Sequence, residues 1–130
     1  MHKFVALALL ASGGLILGSC GTLTAPPAAP RTHVVLMWLR HPERRADREQ
    51  LVRSVHSMRM MRGVQKAETA TSVADLPPGA DRSFDLAALI TFRDVAALQR
   101  FEKDPRHLEA MRRYARRLLR RYEVYNLVAR

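Results

Sequence analysis

Cysteine, glycine and aromatic residues are all scarce in this sequence of 130 residues. The single cysteine, Cys20, excludes a disulfide within one chain and a zinc site built from several cysteines. Aromatic residues make up 6% of the chain, and its six glycines form neither a phosphate-binding loop nor a Gly-x-Ser-x-Gly nucleophile elbow. These absences argue against a disulfide-rich scaffold, a P-loop nucleotide enzyme and a serine hydrolase of the elbow type.

Acidic residues are also few: Asp and Glu total 12, Lys and Arg total 22, and the formal net charge is +10. Such a positive field attracts nucleic acids, anionic lipid headgroups and acidic glycans alike, so the charge does not select among these partners. Hydrophobic residues make up 48% of the chain, which permits a packed core, and 130 residues suffice for one domain.

The first 19 residues have the pattern of a cleavable secretory signal peptide. Lys3 precedes an apolar run that begins at Phe4, and small residues follow this run. The run is shorter than the roughly 20 residues that a membrane-spanning helix needs. We therefore predict a signal peptide over residues 1–19, and the alternative is an uncleaved anchor.

The predicted signal ends in Leu17, Gly18, Ser19 and Cys20, a pattern that resembles the lipobox of bacterial lipoproteins. The resemblance implies that Cys20 receives a diacylglycerol and that the chain is cut just before it. The alternative is an ordinary signal peptide with an incidental cysteine. Gly21 resembles the default for outer-membrane delivery in Gram-negative cells. The predicted location is therefore the cell envelope, lipid-anchored at the outer membrane and facing the periplasm, which argues against a nucleic-acid partner.

A tether is predicted between this anchor and the folded part of the chain. Residues 20–31 contain the lipidated Cys20 and a Pro/Ala-rich stretch without a hydrophobic period. Residues 32–130 are predicted to form one α+β domain. Cleavage removes the single charged side chain Lys3, so the remaining chain keeps a net charge of about +9.

The hydrophobic pattern of the domain predicts the element order β-α-β-β-α-β. The first strand is apolar on both faces, and apolar residues alternate in the third. Gly63 is expected to end the first helix, Asp94 to cap the second, and Pro105 to begin a further helical segment after an interruption at Asp104. The predicted ranges are strands 32–39, 64–72, 84–92 and 122–128, helices 45–62, 95–103 and 105–121, and a loop at 76–81.

Residues 32–130 resemble the stress-responsive α/β-barrel (Dabb) family, a dimeric branch of the ferredoxin-like fold. The resemblance is carried by His33–Trp38, Gly63–Val64, Phe84–Phe92, Asp94–Phe101 and Asp104–His107. It implies a four-stranded antiparallel sheet in each subunit and a homodimer in which two sheets pack into a barrel. Independently, a sheet with helices on one side leaves its other apolar face in need of cover.

Two histidines are the candidate catalytic residues. A few Dabb proteins act as cyclases on small polyketide-like molecules, with a strand-one His, a third-strand His, and a Tyr and a His around a Pro-x-His motif. His33 matches the first of these positions and His107 matches the Pro-x-His histidine. Leu86 occupies the third-strand position and Phe101 the tyrosine position. The resemblance thus supports two of the four positions and argues against a cyclase of this design.

The pair His33 and His107 admits two interpretations. If both side chains reach one cleft, they can bind a small acid or act as acid and base near neutral pH. Alternatively, both are hydrogen-bonded fold residues, and His107 helps to orient the helix that begins at Pro105. No third ligand stands at a metal-binding spacing, so neither a metal site nor a cofactor is predicted.

The last predicted helix carries six arginines in two i,i+4 rows, expected on one exposed face opposite an apolar face. Such a stripe suits anionic lipid headgroups or lipopolysaccharide phosphates, because the guanidinium fork matches phosphate geometry. The alternative is a solvated surface. The rows are Arg112, Arg116 and Arg120, and Arg113, Arg117 and Arg121; the apolar face is Leu108, Met111, Ala115, Leu118 and Leu119.

Two functions of different classes agree with these observations. The first is a non-catalytic, lipid-anchored homodimer that binds a small molecule or an anionic ligand at the envelope as a stress-response module. The second is a small-molecule enzyme with cyclase- or isomerase-like acid/base chemistry at His33 and His107. The position of the two imidazoles distinguishes between these functions, because the enzyme requires both imidazoles in one cleft that a substrate can reach.

Overall fold

The computed structural model describes residues 29–74 and 78–129. The predicted signal peptide, Cys20, most of the tether, and Leu76 and Pro77 of the predicted loop lie outside the described residues. Within the described part, no helix is long and apolar enough to cross a bilayer. The elements are β1 (Arg31–Leu39), α1 (Arg45–Ser57), β2 (Val64–Ala70), β3 (Leu86–Phe92), α2 (Val95–Lys103), α3 (Pro105–Leu118) and β4 (Leu119–Val128).

The four strands form one antiparallel sheet in the order β2-β3-β1-β4. The apolar run predicted as the first strand lies in the interior of the sheet, where His33 pairs with Ile90 of β3 on one side and Asn126 of β4 on the other. The α+β class, the ferredoxin-like topology and the four-stranded antiparallel sheet are therefore as predicted.

The helices cover one face of the sheet, and the core between the two layers has two clusters. One cluster lies beneath α1 and the end of α3, and the other lies beneath α2. The first comprises Val35, Met37, Leu39, Leu51, Val55, Leu86, Ala88, Leu118 and Leu119, and the second Met58, Met61, Ile90, Phe92, Ala97, Leu98 and Phe101.

Two aspartates fix the start of the helices that follow β3. The side chain of Asp94 accepts a hydrogen bond from the backbone N–H of Ala97 at 2.7 Å, and that of Asp104 accepts one from the N–H of Arg106 at 2.8 Å. Pro105 occupies the first turn of α3, where its missing N–H costs nothing. The predicted cap at Asp94 and the predicted interruption at Asp104 are confirmed. Hydrogen bonding lowers the pKa of both carboxyls, through Ala97 for Asp94 and through Arg106 for Asp104.

The first helix is shorter than predicted, and Gly63 follows it at a distance. α1 ends at Ser57, and a 3-10 turn from Met58 to Met60 continues it. Gly63 then has a φ of +88°, in the left-handed region that glycine adopts without strain. A Cβ placed there would lie 2.7 Å from the Cβ of Ala97, so Gly63 also permits close packing against α2.

The predicted extension of the last helix to Arg121 is wrong. α3 ends at Leu118, whose carbonyl accepts a hydrogen bond from the N–H of Arg40 at 2.8 Å, and Leu119 already pairs with Leu39. Strand pairing along all of β1 overrides the helical preference of the arginine-rich segment. Leu108, predicted to face inward, is 46% exposed.

Within residues 29–74 and 78–129, no helix covers the second face of the sheet. Trp38 lies on this face but is buried, because the Arg121 guanidinium stacks 4.4 Å from its ring and its Nε1–H donates to the Ser83 hydroxyl at 3.1 Å. Around it, the strands present apolar side chains that are half-buried or exposed. These are Val34, Leu36, Leu89, Tyr125 and Leu127.

Candidate functional site

His33 and His107 come together between the sheet and the helices. His33 lies on β1 and His107 in the first turn of α3, and their ring centroids are 6.0 Å apart with the planes nearly perpendicular. Their residues are only 3% and 9% exposed. The two histidines that are farthest apart in the domain sequence are therefore neighbours in the core, as the convergent interpretation requires.

Phe101 packs beside both imidazoles. Its ring centroid lies 4.2 Å from that of His107 and 5.7 Å from that of His33. The site thus has a phenyl ring where the resemblance would place a tyrosine. Leu86 pairs with Met37, four residues along β1 from His33, and belongs to the cluster beneath α1. The structure agrees that neither position supplies a titratable group to the histidine pair.

A hydrogen-bond chain orients His33. Asn126 donates from Nδ2 to Oε1 of Glu102 at 2.9 Å, so its Oδ1 is free to accept from Nδ1 of His33 at 2.7 Å. This arrangement assigns the proton of the neutral imidazole to Nδ1 and leaves Nε2 as the acceptor. Glu102 and Asn126 therefore fix the orientation of the His33 ring, as hydrogen-bonded neighbours do for a reactive histidine.

His107 is held in its neutral form. Burial lowers its pKa below the usual 6.5, and the neighbouring His33 acts in the same direction against the weaker opposing influence of Glu102 and Asp104. Its Nδ1 atom is buried without a hydrogen-bond partner among the described residues. A proton on that nitrogen in the charged form would have nothing to bond, which is costly in an apolar setting. The neutral imidazole is therefore the favoured form, and one of its ring nitrogens is an acceptor without a proton.

Both histidines line a cavity of about 50 Å³ between the sheet, α1 and α3. For scale, an apolar cavity of about 150 Å³ binds benzene. The cavity therefore accommodates only a few heavy atoms at a time. Its walls are mostly apolar: Val35, Met37, Leu51, Val55, Met58, Ala88, Ile90, Ala110, Met111, Ala115 and Leu119, with Ser54 and Tyr114 at the helices.

A second, open groove of about 620 Å³ lies between α1 and α3 on the outside of the molecule. Ser54, Ala110 and Tyr114 line both the inner cavity and this groove, so these three residues form the boundary between the two, which we call the neck. The groove is basic at its rim, where Arg53, Arg106 and Arg113 outnumber the acidic Glu109; its other lining residues are Gln50, Ser57 and Pro105. The histidine cavity and the basic groove therefore meet at these three side chains.

Sequence reasoning missed Tyr114 as a member of this site. It lies seven residues after His107 on α3, which is two helical turns, and so lies on the same side of the helix. The spacing of His107, Met111 and Tyr114 was the available signal. Tyr114 places a phenol ring at the neck, whereas Phe101, at the position where the resemblance would place a tyrosine, has no hydroxyl.

The described residues show no cluster suited to a metal ion. No three His, Cys, Asp or Glu side chains within residues 29–74 and 78–129 come close enough to share one. The other two histidines of the described residues, His41 and His56, lie outside the cavity, and His41 contacts Glu43 at 3.4 Å in the turn after β1.

The six predicted anion-binding arginines do not share one helix face. Arg112 and Arg116 on α3, with Arg120 and Arg121 on β4, line a groove between these two elements. The other two lie on the α1 side of α3: Arg113 lines the outer groove of the cavity, and Arg117 donates to Oε1 of Gln50 at 2.9 Å. The single stripe was wrong because it depended on a helix that extends past Leu118.

A sequence profile of the family described as Stress responsive A/B Barrel Domain (Dabb) matches residues 32–128. The chain belongs to the Dabb family. No curated protein matches the chain significantly. The match covers every strand and helix except the first residue of β1, so the family assignment concerns the whole domain described above.

Solved structures with the same fold include proteins of different roles. A Dabb family protein with a ferredoxin-like fold from Mesorhizobium loti is 20% identical over 78% of this chain and 98% of its own, with a TM-score of 0.65. The hydroxynitrile lyase of Passiflora edulis is 19% identical over 81% of this chain and 96% of its own, also at 0.65. A dimeric ferredoxin-like protein from Thermobifida fusca is 13% identical over 78% and 92%, at 0.62. Identities this low support the fold of this Dabb domain and leave its chemistry to its own residues.

Proposed function

We propose that this protein is an exported, lipid-anchored Dabb homodimer that binds a small molecule in the cavity lined by His33 and His107. The observation that carries the proposal is the convergence of two buried imidazoles, 6.0 Å apart, on one apolar cavity. A buried histidine with a purely structural role is expected to have hydrogen-bond partners. His33 has one, whereas Nδ1 of His107 has none within the described chain.

The lining indicates the chemistry of the ligand. Apolar side chains surround the inner cavity, so the part of the ligand that enters it is apolar and only a few heavy atoms long. The imidazoles and the Tyr114 hydroxyl offer hydrogen bonds at its ends. At the rim of the outer groove, Arg53 and Arg106 pair with Glu49 and Asp104, and Arg113, which has no ion pair within the described residues, is the cation that favours an anionic group there. A short monocarboxylic acid combines these features.

The homodimer is inferred from the uncovered face of the sheet. Tyr125 and Leu127 are 45% and 52% exposed on that face, beside the half-buried Val34 and Leu36. A second copy of the same sheet would remove this apolar surface from water. The structural relative from Thermobifida fusca is a dimeric protein. Leu127→Arg should therefore give a monomer in sedimentation, whereas Val95→Arg, at a 47% exposed apolar residue on α2, should leave the dimer intact. If both variants were dimers, or both were monomers, the assignment of the interface to this face of the sheet would be contradicted.

The envelope location is inferred from the N-terminal sequence, because Cys20 follows small residues at the end of an apolar run. The full chain, expressed in a Gram-negative bacterium with labelled palmitate, should take up the label and fractionate with the outer membrane. Cys20→Ser should abolish the labelling. Unlabelled protein in the cytosol would overturn the export part of the proposal and leave the cavity part standing.

Ligand binding is tested with straight-chain carboxylates from propanoate to octanoate as probes. The imidazole C–H proton resonances of His33 and His107 report on the cavity, and those of His41 serve as the internal control because its side chain lies in an exposed turn. We expect saturable shifts of the two cavity resonances and an optimum in chain length, since a cavity of about 50 Å³ holds only a short tail. His107→Leu should weaken binding and His41→Ala should not. Equal shifts of all histidines would contradict a specific site.

An acid/base enzyme is the second candidate, and one arrangement favours it. Glu102 and Asn126 fix the tautomer of His33 beside a neutral His107, and Tyr114 lines the same cavity. A fixed imidazole beside a neutral one is suited to move a proton on a bound molecule. The structurally similar protein from Passiflora edulis is a hydroxynitrile lyase, which makes a small hydroxynitrile a rational trial substrate.

The enzyme is tested by following acetaldehyde release from lactonitrile, a hydroxynitrile with few heavy atoms that matches the small cavity. The enzyme would be supported if the protein releases aldehyde faster than buffer does, and if His33→Leu and His107→Leu each lose this release while they remain folded. Release at the buffer rate, together with carboxylate binding, would favour the non-catalytic binding protein.

A further inference from the structure

A groove of about 520 Å³ lies between α3 and β4, on the opposite side of α3 from the cavity mouth. Its floor is mostly apolar and its rim is basic. The floor comprises Met111, Ala115, Leu119 and Tyr122, and the rim comprises Arg112, Arg116, Arg120 and Arg121. Four guanidinium groups thus surround apolar surface that helix packing leaves open.

The rim arginines are not neutralised by the groove itself, because no acidic side chain lines it. Arg112 pairs with Glu109 at 3.0 Å, one turn earlier on α3, and Arg121 pairs with Glu123 while it stacks on Trp38. These partners hold two of the four side chains in place. Arg116 and Arg120 make no ion pair within the described residues and are exposed to solvent. The groove therefore presents two ion-paired arginines that are held in place and two that are available to an anionic ligand.

The combination of rim and floor narrows the class of ligand. Arginine binds phosphate with two parallel hydrogen bonds, and several arginines around one point suit a phosphate monoester or diester. A free phosphate makes no use of an apolar floor, and the floor offers only one aromatic ring, Tyr122, on which a base could stack. A phosphate joined to an aliphatic chain uses both parts of the groove.

We propose that this groove binds the phosphate-bearing headgroup of an anionic lipid, with the first carbons of the lipid against Met111 and Ala115. The groove shares Met111, Ala115 and Leu119 with the wall of the histidine cavity, whereas its four arginines lie outside that cavity, and the proposal does not depend on what the cavity binds.

The groove is within reach of a membrane to which Cys20 would be attached. It lies beside the pair of Leu39 and Leu119, whereas the chain enters β1 at Arg31, at the other end of the strand. The distance along β1 between these ends is about 26 Å. The ten residues between Cys20 and Arg31 can span up to about 35 Å. A lipid-anchored chain can therefore lie along the membrane and bring the groove to the headgroups.

The test uses residues 20–130 with Cys20→Ser, which contain the complete sheet and both core clusters described above. Binding is measured by flotation with vesicles of phosphatidylcholine, with and without phosphatidylglycerol, at moderate salt. Two matched double variants remove the same charge from the same helix at the same spacing. Arg112→Gln with Arg116→Gln changes the groove, and Arg113→Gln with Arg117→Gln changes the opposite side of α3.

We expect binding to the anionic vesicles to fall in the groove variant by about 25-fold, since each basic residue near an anionic surface contributes about fivefold. The control variant should lose less than about fivefold, because its arginines lie outside the groove and contribute only through net charge. Equal losses in the two variants would overturn the groove and leave only a general positive charge. Circular dichroism of both variants shows whether folding is retained. If either Gln variant unfolds, the double variant Arg112→Lys with Arg116→Lys replaces it, because it keeps the charge but removes the forked guanidinium groups.

Competition distinguishes the sources of phosphate. Water-soluble dihexanoyl phosphatidylglycerol should displace the vesicles at lower concentration than inorganic phosphate, because it also contacts the floor. Equal potency of the two competitors would overturn the role of Met111 and Ala115. A DNA duplex that binds with the same dependence on Arg112 and Arg116, and displaces the vesicles more strongly than the lipid, would overturn the assignment to lipid.

Discussion

Replacing Gly63 by alanine should destabilise the domain more than the same change at Gly79. Both glycines have positive φ, at +88° and +98°, so both substitutions force alanine into the left-handed region. That backbone cost is about 1–2 kcal/mol. At Gly79 no atom of the described residues lies within 4 Å of the added Cβ, so only the backbone cost is expected there.

Gly63→Ala carries a second cost, because its Cβ would lie 2.7 Å from the Cβ of Ala97. Ala97 is fully buried in the cluster beneath α2, and its Cβ moves only if the helix backbone moves. Overpacking of this kind costs about 1–3 kcal/mol, which gives a total of about 2–5 kcal/mol for Gly63→Ala. The difference between the two glycine variants isolates the contact with α2.

The assay is urea unfolding, followed by the fluorescence of the single tryptophan, Trp38, and by circular dichroism. In the Gly63→Ala background, Ala97→Gly should cost less than it does in the parent protein, because it removes the clashing carbon. Equal destabilisation by Gly63→Ala and Gly79→Ala, together with additive effects of Ala97→Gly, would refute the close approach of the 3-10 turn to α2.

Three further changes test the caps and the histidine site. Asp94→Ala should lower the free energy of unfolding by about 1 kcal/mol in urea titrations, because the N–H of Ala97 loses its acceptor; no loss would show that the cap is not needed. Asn126→Ala should cost about 1–3 kcal/mol by the same assay, since the buried Nδ1–H of His33 loses its partner, and an unchanged midpoint would refute the assigned tautomer. The pKa of His107 in the folded state lies below 6.5, the value in the unfolded chain, so at a pH between the two pKa values the unfolded chain binds more protons. The stability that neutral His107 contributes is therefore complete above pH 6.5 and is lost as the pH falls toward the folded-state pKa. The pH profile of stability should flatten in this interval in His107→Leu, and an identical profile would contradict the shift.

The caps and breaks of the helices were readable from the sequence because they depend on neighbouring residues alone. Asp94 and Asp104 each bond a backbone N–H two or three residues ahead, and Pro105 lacks the N–H that would continue α2. The apolar run of β1 likewise predicted a strand buried within a sheet. The choice of His33 and His107 came from the Dabb resemblance, and the tertiary structure was needed to show that Asn126 and Phe101 contact them.

The end of α3 and the division of the arginines were decided by tertiary structure. Residues 112–121 are favourable for a helix by composition, yet β1 is nine residues long and offers hydrogen bonds along its whole edge, so Leu119 and the residues after it join the sheet. That early change from helix to strand places Arg120 and Arg121 across a groove from Arg112 and Arg116. Tyr114 joins the histidine cavity for a similar reason, because only the packing of α3 against α1 brings it to the neck. Local hydrogen bonding thus determined where helices begin, and competition between distant segments for β1 and for the core determined where α3 ends and which side chains meet.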